Sequence, residues 1–305
     1  MPRLVSVIIP AHNAARTLER ALKSVFIQAY EPLEVIVVDD GSGDGTAEVA
    51  SAFSGGELRV LRLERCGGAA NARNHGIAAS RGAFIAFLDA DDEWGATKLV
   101  KQLAILDADP AMSFVSCGAR LIAPDGGDRG NLYPGRAPAC GDQAWRVLLA
   151  YNFIATPSVV ARRHALAEAG AFDIALKVGE DQDMWIRLAA MGSVGYVDEM
   201  LVRVHETPDS LSSGNFQDQL VYTLPMIRRH VERRRGELSP REVNAILGNR
   251  LGRLGRSALG RGLRRDGVAL ILGAMRLGNH PIGNALLLLR AAIPVRWLDR
   301  VRRRR

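Results

Sequence analysis

Four short apolar runs near the N-terminus, separated by helical patterns, constrain the fold of this 305-residue chain most strongly. The runs are rich in β-branched residues and show little polar alternation, which is typical of strands covered on both faces. Between the first two runs, apolar side chains recur at spacings of three and four. This alternation predicts an α/β fold, a mostly parallel sheet with right-handed crossovers and flanking helices. The predicted strands are residues 4–10, 33–38, 58–63 and 83–88, and the clearest predicted helix is residues 15–28.

After residue 107 the regular alternation of predicted strands and helices is lost, and the chain ends in a segment of different composition. Leu247, Leu251 and Leu254 lie on one face of a predicted helix that is weakened by glycines. We expect a catalytic domain over residues 1–215 and a helical tail over 216–305. The later predictions are strands at 111–122, 157–162 and 195–204, a loop or hairpin at 123–141, and helices at 145–150, 180–191, 267–277 and 285–293.

The predicted catalytic domain and the predicted tail differ in net charge. The chain carries a net charge of +7, but residues 1–215 hold 20 basic and 27 acidic side chains, whereas the tail holds 20 basic and 6 acidic ones. Such a basic tail can bind anionic lipid or nucleic acid, or it can contact only solvent and the acidic region. We expect no nucleic-acid partner, because no aromatic residues interleave with the arginines.

The cysteines and the N-terminus indicate a reducing compartment. Cys66, Cys117 and Cys140 share no spacing that suggests a zinc site. No apolar signal segment follows Met1, and no apolar run in the tail reaches the ~18 residues of a membrane span. We therefore expect a cytoplasmic protein without a transmembrane helix.

Polar side chains follow each of the four predicted strands. Asn13 follows the first, Asp40 the second and Arg73 the third, while Asp89 and Asp91 follow the fourth. Ligands bind at the carboxyl ends of strands in open α/β sheets, and clustered carboxylates suit Mg²⁺ or Mn²⁺. The alternative is that the Asp cluster only makes a turn and caps the next helix.

Six motifs occur in an order that resembles the family-two glycosyltransferases. The resemblance implies the GT-A fold, a Rossmann-like sheet, and inverting, metal-dependent transfer from a nucleotide sugar, with residues 1–110 as the nucleotide half and 111–215 as the acceptor half. The motifs are VSVIIPAHN (5–13), VVDDGS (37–42), GAANARN (68–74), DADD (89–92), GEDQDMW (179–185) and VRVH (202–205).

The first two motifs are expected to bind the nucleotide. Pro10, Ala11 and Asn13 lead into a helix whose amides could hold a nucleotide or phosphate, although a plain turn is the alternative. Asp39 and Asp40 could accept hydrogen bonds from a base and a ribose, with Asp40 favoured for the base, or could form a capping turn. Uridine is what the family implies.

Arg73 could reach the base or the phosphates, or could be a solvated surface residue. By the resemblance, Asp91 holds the divalent metal and Asp89 lies nearer the ribose, and both are assigned to the metal site together with His205. Asp92 is an uncertain third carboxylate. A lone His is often structural, so both roles for His205 stay open.

The fifth motif supplies the predicted base. The family places the base at Asp181, which would take a proton from the acceptor hydroxyl. Glu180 belongs to the same centre and Asp183 is a second candidate. The alternative is that these acids only complement a helix dipole. Trp185 receives no role.

The resemblance implies transfer of one sugar from a nucleoside-diphosphate sugar, expected to be a UDP-sugar, to a glycan or lipid-linked acceptor in cell-surface polysaccharide synthesis. Residues 123–141 and 155–178 are expected to select the acceptor. Arg296-Trp297 lacks the preceding Gln of processive synthases, because Ile293 stands there. The tail could pack on the catalytic domain and could also bind the inner face of the plasma membrane, and the two are compatible. The alternatives are an inactive nucleotide-sugar scaffold and an Arg-rich nucleic-acid binder, while the missing Gly-x-Gly-x-x-Gly excludes a dinucleotide dehydrogenase.

Overall fold

The computed structural model describes residues 3–135, 138–207, 216–280 and 283–285. These residues divide into two compact units, one within residues 1–148 and 152–212 and the other within 149–151 and 213–305. All the predicted site residues lie in the first unit.

The first unit is built on a mixed, mainly parallel sheet. Within the described residues its nine strands follow the order β3-β2-β1-β4-β8-β6-β9-β5, with β7 paired to β6. Six of them, β1 to β4, β6 and β9, run in one direction, since β8 is antiparallel to both β4 and β6 and β9 is parallel to β6. The strands are β1 Val5–Ala11, β2 Leu33–Asp39, β3 Leu58–Arg62, β4 Phe84–Phe87, β5 Glu93–Trp94, β6 Met112–Ile122, β7 Asp128–Asn131, β8 Val160–Arg162 and β9 Ser193–His205.

Helices cover the sheet on both faces. One face buries Val7 and Ile9 of β1 against Leu18 and Leu22 of the first helix, and the other buries Ile36 of β2 near the third helix. The helices that begin in the first unit are α1 Leu18–Phe26, α2 Thr46–Ala52, α3 Ala69–Ala79, α4 Lys98–Ala108, α5 Ala144–Ala150, α6 Arg163–Ala169 and α7 Glu180–Ala189. The second unit contains α8 Phe216–Asp218, α9 Leu224–Arg233, α10 Pro240–Gly260 and α11 Arg264–Arg276.

A glycine sets how closely α3 approaches the sheet. A Cβ on Gly76 would lie 2.4 Å from the Cγ2 atom of Ile8 in β1, which is too close for two carbon atoms. Because Gly76 has no side chain, α3 packs directly on the strand. This close contact holds Arg73, one turn earlier in the helix, near the carboxyl ends of β1 and β4.

Glycines also pack the helices of the second unit. Gly248, Gly252 and Gly255 share one face of α10, and a Cβ on Gly255 would lie 2.8 Å from Cγ1 of Ile271 in α11. These glycines lower the helix propensity of α10, yet they allow α10 and α11 to pack closely. Their cost in propensity is offset by this packing.

The first four predicted strands and the α/β class are confirmed. Residues 123–141 contain β7, which pairs with β6 as a hairpin. The predicted strand at 157–162 is only partly correct, because Thr156–Ser158 form a 3₁₀ turn before β8. The predicted helix at 285–293 and Arg296-Trp297 lie outside the described residues, apart from Ala285. No helix in the described part of the chain is long and apolar enough to cross a membrane.

Candidate active site

The loops after β1 and β2 form one hydrogen-bonded surface. Pro10 and Ala11 end β1, and Ala11 lies beside Asp39 in the parallel register. The amide of Asn13 donates to the hydroxyl of Ser42 at 2.9 Å, and the Asn13 side-chain oxygen accepts from the amide of Gly43 at 3.0 Å. Asn13 adopts a φ of 50°, a left-handed conformation that Asn tolerates better than most residues. The first two predicted nucleotide motifs are therefore adjacent in space.

The carboxylate of Asp40 is hydrogen-bonded to the loop between β3 and α3. Its carboxylate accepts hydrogen bonds from the amides of Gly67 and Gly68 at 2.9 and 2.8 Å, and from the thiol of Cys66 at 3.2 Å. Asp39 accepts a hydrogen bond from the amide of Ser42 at 3.0 Å. Both aspartates are buried. In this arrangement they fix the loops that would border a nucleotide.

Arg73 links the fourth strand to the helix that carries the predicted base. One terminal nitrogen donates to Asp89 at 2.9 Å and the other donates to Glu180 at 3.0 Å. The side chain is 5% exposed and its guanidinium lies 5.7 Å from the ring centre of Phe172. Arg73 is thus a buried bridge between two acids 91 positions apart in the sequence, and it is not the solvated surface residue that the sequence left open.

The Asp cluster after β4 divides into exposed and buried carboxylates. Asp89 is partly exposed and Asp92 is buried. Asp92 accepts a hydrogen bond from the amide of His205 at 3.0 Å. Burial, together with the charge of Asp89, raises the pKa of Asp91, and burial with both neighbouring charges raises the pKa of Asp92 well above its usual value. The cluster is therefore short of positive charge.

The donor chemistry of Asp89 and Asp91 fits Mg²⁺ or Mn²⁺ held partly by substrate. His205 lies on β9, and its Nε2 is 2.6 Å from a carboxylate oxygen of Glu93. Among the described residues, no three His, Cys, Asp or Glu side chains form a group that could hold a metal alone. Magnesium is commonly bound through one or two carboxylates plus phosphates and water, so two Asp carboxylates fit that mode.

Helix α7 presents Glu180 and Asp181 in its first turn. Asp181 accepts hydrogen bonds from the side-chain amide of Asn152 at 3.2 Å and from the amide of Gln182 at 2.6 Å. Burial, reinforced by the charge of Glu180, raises the pKa of Asp181 to about 7. A carboxylate with such a pKa is well matched to accept a proton near neutral pH.

The remaining α7 residues have structural contacts. Asp183 pairs with Arg187 at 2.8 Å, and Arg187 also donates to the carbonyl of Ala169. Trp185 is buried between Phe87, Phe114 and Phe172. The structure therefore brings Arg73, Asp89, Glu180 and Asp181 together, while it places the carboxylate of Asp183 in an ion pair on the same helix.

Three contributors were missed by the sequence reasoning. Asn152 orients Asp181, Glu93 holds His205, and Arg20 donates to the carbonyl oxygen of Asp91 at 2.5 Å. Glu93 directly follows the Asp cluster, so its position was a usable signal. Asn152 and Arg20 lie outside every motif, and only the folded chain brings them to the site.

The first unit also matches known proteins. The family model described as "Glycosyl transferase family 2" matches residues 6–164, just over half of the chain. The chain belongs to glycosyltransferase family 2. It is a glycosyltransferase, and the family assignment from the motifs is confirmed.

Two curated relatives are informative. A putative teichuronic acid biosynthesis glycosyltransferase of Bacillus subtilis, TuaG, is 30% identical over 217 residues, 70% of this chain and 83% of the relative. The Escherichia coli UDP-Glc:alpha-D-GlcNAc-diphosphoundecaprenol beta-1,3-glucosyltransferase WfgD is 42% identical over 103 residues, but these make up 34% of this chain and 41% of the relative.

Solved structures of glycosyltransferases share the GT-A fold. Residues 1–349 of S. aureus TarS match with a TM-score of 0.64 and 20% identity, covering 91% of this chain and 81% of that one. The same fragment with UDP-GlcNAc gives 0.58 and 17% identity, with 84% and 83% coverage. The mannosyltransferase PcManGT of Pyrobaculum calidifontis, in complex with GDP-Man and Mn²⁺, gives 0.56 and 19% identity, with 96% and 85% coverage.

Replacing Arg73 with Lys is expected to lower the glycosyl-transfer rate of this family-2 enzyme by about 10- to 100-fold, because an ammonium group cannot donate to Asp89 and Glu180 with the fork geometry of arginine. Arg120→Lys is the matched control, since Arg120 forms an exposed pair with Asp128 and should retain the wild-type rate. Steady-state kinetics and thermal melting measure both variants. A folded Arg73→Lys enzyme with the wild-type rate would contradict the role of this bridge.

Proposed function

We propose that this enzyme transfers one sugar, with inversion, from a nucleoside-diphosphate sugar to a hydroxyl of a glycan or lipid-linked acceptor. The observation that carries the proposal is the cluster of Asp89, Arg73, Glu180 and Asp181. It joins a strand-end carboxylate suited to a donor and its cation with a carboxylate suited to activate an acceptor. An inverting transfer needs these two functions close together, because the acceptor oxygen attacks as the diphosphate leaves.

A UDP-sugar is the proposed donor. TarS is known with UDP-GlcNAc and WfgD is described as using UDP-Glc, whereas PcManGT is described with GDP-Man. On this basis the loops around Asn13, Asp39 and Asp40 would border the base and ribose. Base contacts from Asp39 or Asp40 would replace one of the hydrogen bonds that these carboxylates make to the chain.

Asp89 and Asp91 are the proposed metal ligands, with His205 as a further candidate once it leaves Glu93. A divalent cation there would neutralise charge on the leaving diphosphate. The residues of the chain do the rest. Arg73 holds Asp89 in place, Asn152 orients the Asp181 carboxylate, and that carboxylate accepts the proton of the acceptor hydroxyl.

Calorimetry with UDP, TDP and GDP tests the donor site. Metal-dependent binding of one diphosphate is expected for the wild type, while Asp91→Asn should weaken it at least about tenfold, because one charge-assisted contact is lost. Asp125→Asn is the control, since Asp125 is exposed in the β6–β7 loop. The donor proposal is wrong if chelator and Asp91→Asn leave the affinity unchanged.

The pH dependence of transfer tests the base. The raised pKa of Asp181, about 7 in the free enzyme, predicts that kcat/KM falls as pH decreases through this value, because the protonated carboxyl cannot accept a proton. Glu180, Asp89 and Arg73 face Asp181 and set this value together with burial.

Substitutions at two positions of α7 distinguish the two candidate bases, Asp181 and Asp183. Asp181→Asn should lose most of the activity and the acidic limb of the profile. Asp183→Asn should keep the limb, because Asp183 is paired with Arg187. Survival of the limb in Asp181→Asn would assign the base to another group, with Glu180 the next to test.

We also propose that the second unit binds anionic lipid, which would bring the enzyme to a lipid-linked acceptor at the inner membrane face. The turn between α10 and α11 exposes Arg261, Arg264 and Arg265 around Leu263, which is 38% exposed. Within the described residues, no ion pair involves these arginines. A cluster of unpaired arginines beside an exposed leucine suits a membrane surface.

Vesicle co-sedimentation tests the lipid surface. Changing Arg261, Arg264 and Arg265 to Gln should reduce binding to vesicles containing phosphatidylglycerol by on the order of 100-fold, at about 1 kcal/mol per arginine. Changing Arg233, Arg234 and Arg235 to Gln removes the same charge, but two of these pair with Glu237 and Glu232, so a smaller loss is expected. If both variants lose vesicle binding equally, binding depends only on net charge. If the variant at Arg261, Arg264 and Arg265 loses no binding, the proposed lipid-binding surface is refuted.

A further inference from the structure

The side-chain amide of Asn74 makes a paired contact with a backbone segment 98 positions away. Asn74 lies on α3, directly after Arg73. Its nitrogen donates to the carbonyl oxygen of Phe172 at 2.9 Å, and its oxygen accepts from the amide of Phe172 at 2.8 Å. The contact uses both the donor and the acceptor of the side chain, as a hydrogen-bonded residue pair in an antiparallel sheet does. It therefore fixes the orientation of the backbone at Phe172 as well as its distance from α3.

The segment that Asn74 holds, residues 169–172, is also tied to α7. Arg187 of α7 donates to the carbonyl oxygens of residues 169, 170 and 171 at 2.6, 3.3 and 3.0 Å. The ring of Phe172 is buried and packs edge-on against Trp185 of the same helix, with ring centres 5.9 Å apart. Segment 169–172 and α7 are thus joined by backbone bonds and by ring packing.

This packing reaches the turn of α7 that carries the proposed base. Trp185 lies four residues after Asp181, about one turn along the helix. A shift of segment 169–172 would therefore be transmitted through Trp185 to Asp181. In the same first turn, Glu180 accepts a hydrogen bond from Arg73 at 3.0 Å. Two consecutive residues of α3 thus hold α7, Arg73 by an ion pair and Asn74 by neutral bonds to the backbone before the helix.

We propose that Asn74 is a positioning residue for the transfer step, and that it holds Asp181 against the acceptor hydroxyl by fixing segment 169–172 to α3. The proposal rests on the proposed function, with Asp181 as the base. The bonds of Asn74 are to backbone groups, so its effect reaches the base through Phe172 and Trp185. Misplacing a reacting group by about 1 Å can lower a rate about 100-fold, so a clamp of this kind affects the rate of transfer more than the binding of the donor.

Kinetics of Asn74→Ala test the proposal. The measured rate is UDP release from UDP-glucose or UDP-N-acetylglucosamine, with water or methyl β-D-glucoside as the acceptor, because a base can take the proton of either. We expect kcat to fall about 10- to 100-fold. Calorimetry should find the affinity for UDP with metal within about threefold of the wild type, because the contacts of Asn13, Asp39 and Asp40 are retained.

A second variant keeps the size of the side chain. Asn74→Asp can still accept from the amide of Phe172, but an ionised carboxylate cannot donate to the Phe172 carbonyl. We expect its kcat to fall by a similar factor. Since this variant leaves no cavity, a loss of rate in it is not due to lost packing.

Two comparisons separate positioning from a general effect on stability. In an Asp181→Asn background, Asn74→Ala should lower the remaining rate less than about twofold, because residues that act as a unit have non-additive effects. Gln102→Ala is the matched control. The buried amide of Gln102, on α4, donates to the carbonyl oxygens of Val115 and Ser158 at 3.0 and 2.7 Å. Its loss should lower the melting temperature about as much as Asn74→Ala does, with the wild-type kcat retained.

Three results would overturn the role of Asn74: a wild-type kcat in Asn74→Ala or Asn74→Asp, a full 10-fold loss from Asn74→Ala in the Asp181→Asn background, or an equal loss in Gln102→Ala. The last result would mean that stability sets the rate. Failure of the proposed function is distinguishable from these results. It would appear in the wild type, as no UDP release from either donor, or as a wild-type rate in Asp181→Asn, and it would refute the base on which this proposal rests.

Discussion

The guanidinium of Arg73 is the contact on which the site depends. It is buried and bonds to Asp89 after β4 and to Glu180 at the start of α7. Three acids, Asp89, Glu180 and Asp181, converge there, and their mutual repulsion would open the site without a cation between them. Breaking a buried pair leaves uncompensated charge at a cost of about 3–5 kcal/mol. The same contact that balances this charge therefore also links the end of β4 to the start of α7.

Several acids that resemble catalytic groups in the sequence stabilise the scaffold around this bridge. Asp40 holds the amides of Gly67 and Gly68, and Asp92 holds the amide of His205. Asp183 is paired with Arg187. These contacts fix loops whose positions would otherwise vary, because loop backbone groups lack the regular partners of helices and strands. The positions of the loops around the bridge thus depend on polar contacts made by these acids.

Local sequence determined the first four strands, the fold class and the row of strand-end motifs. Burial on both faces of a parallel strand leaves a continuous apolar run, and a parallel sheet gathers its carboxyl ends on one edge. The family assignment follows from that row.

Only the tertiary structure decided which polar side chains contact the acids of the site. Arg73 and Glu180 are 107 positions apart, and Asn152 carries no motif, so no local pattern relates them. The tertiary structure also explains the glycines of α10, since a glycine weakens an isolated helix but allows two helices to pack closely. The raised pKa of Asp181 is likewise a property of the fold, because the burial and the charge of Asp89 that help to raise it exist only when distant segments come together.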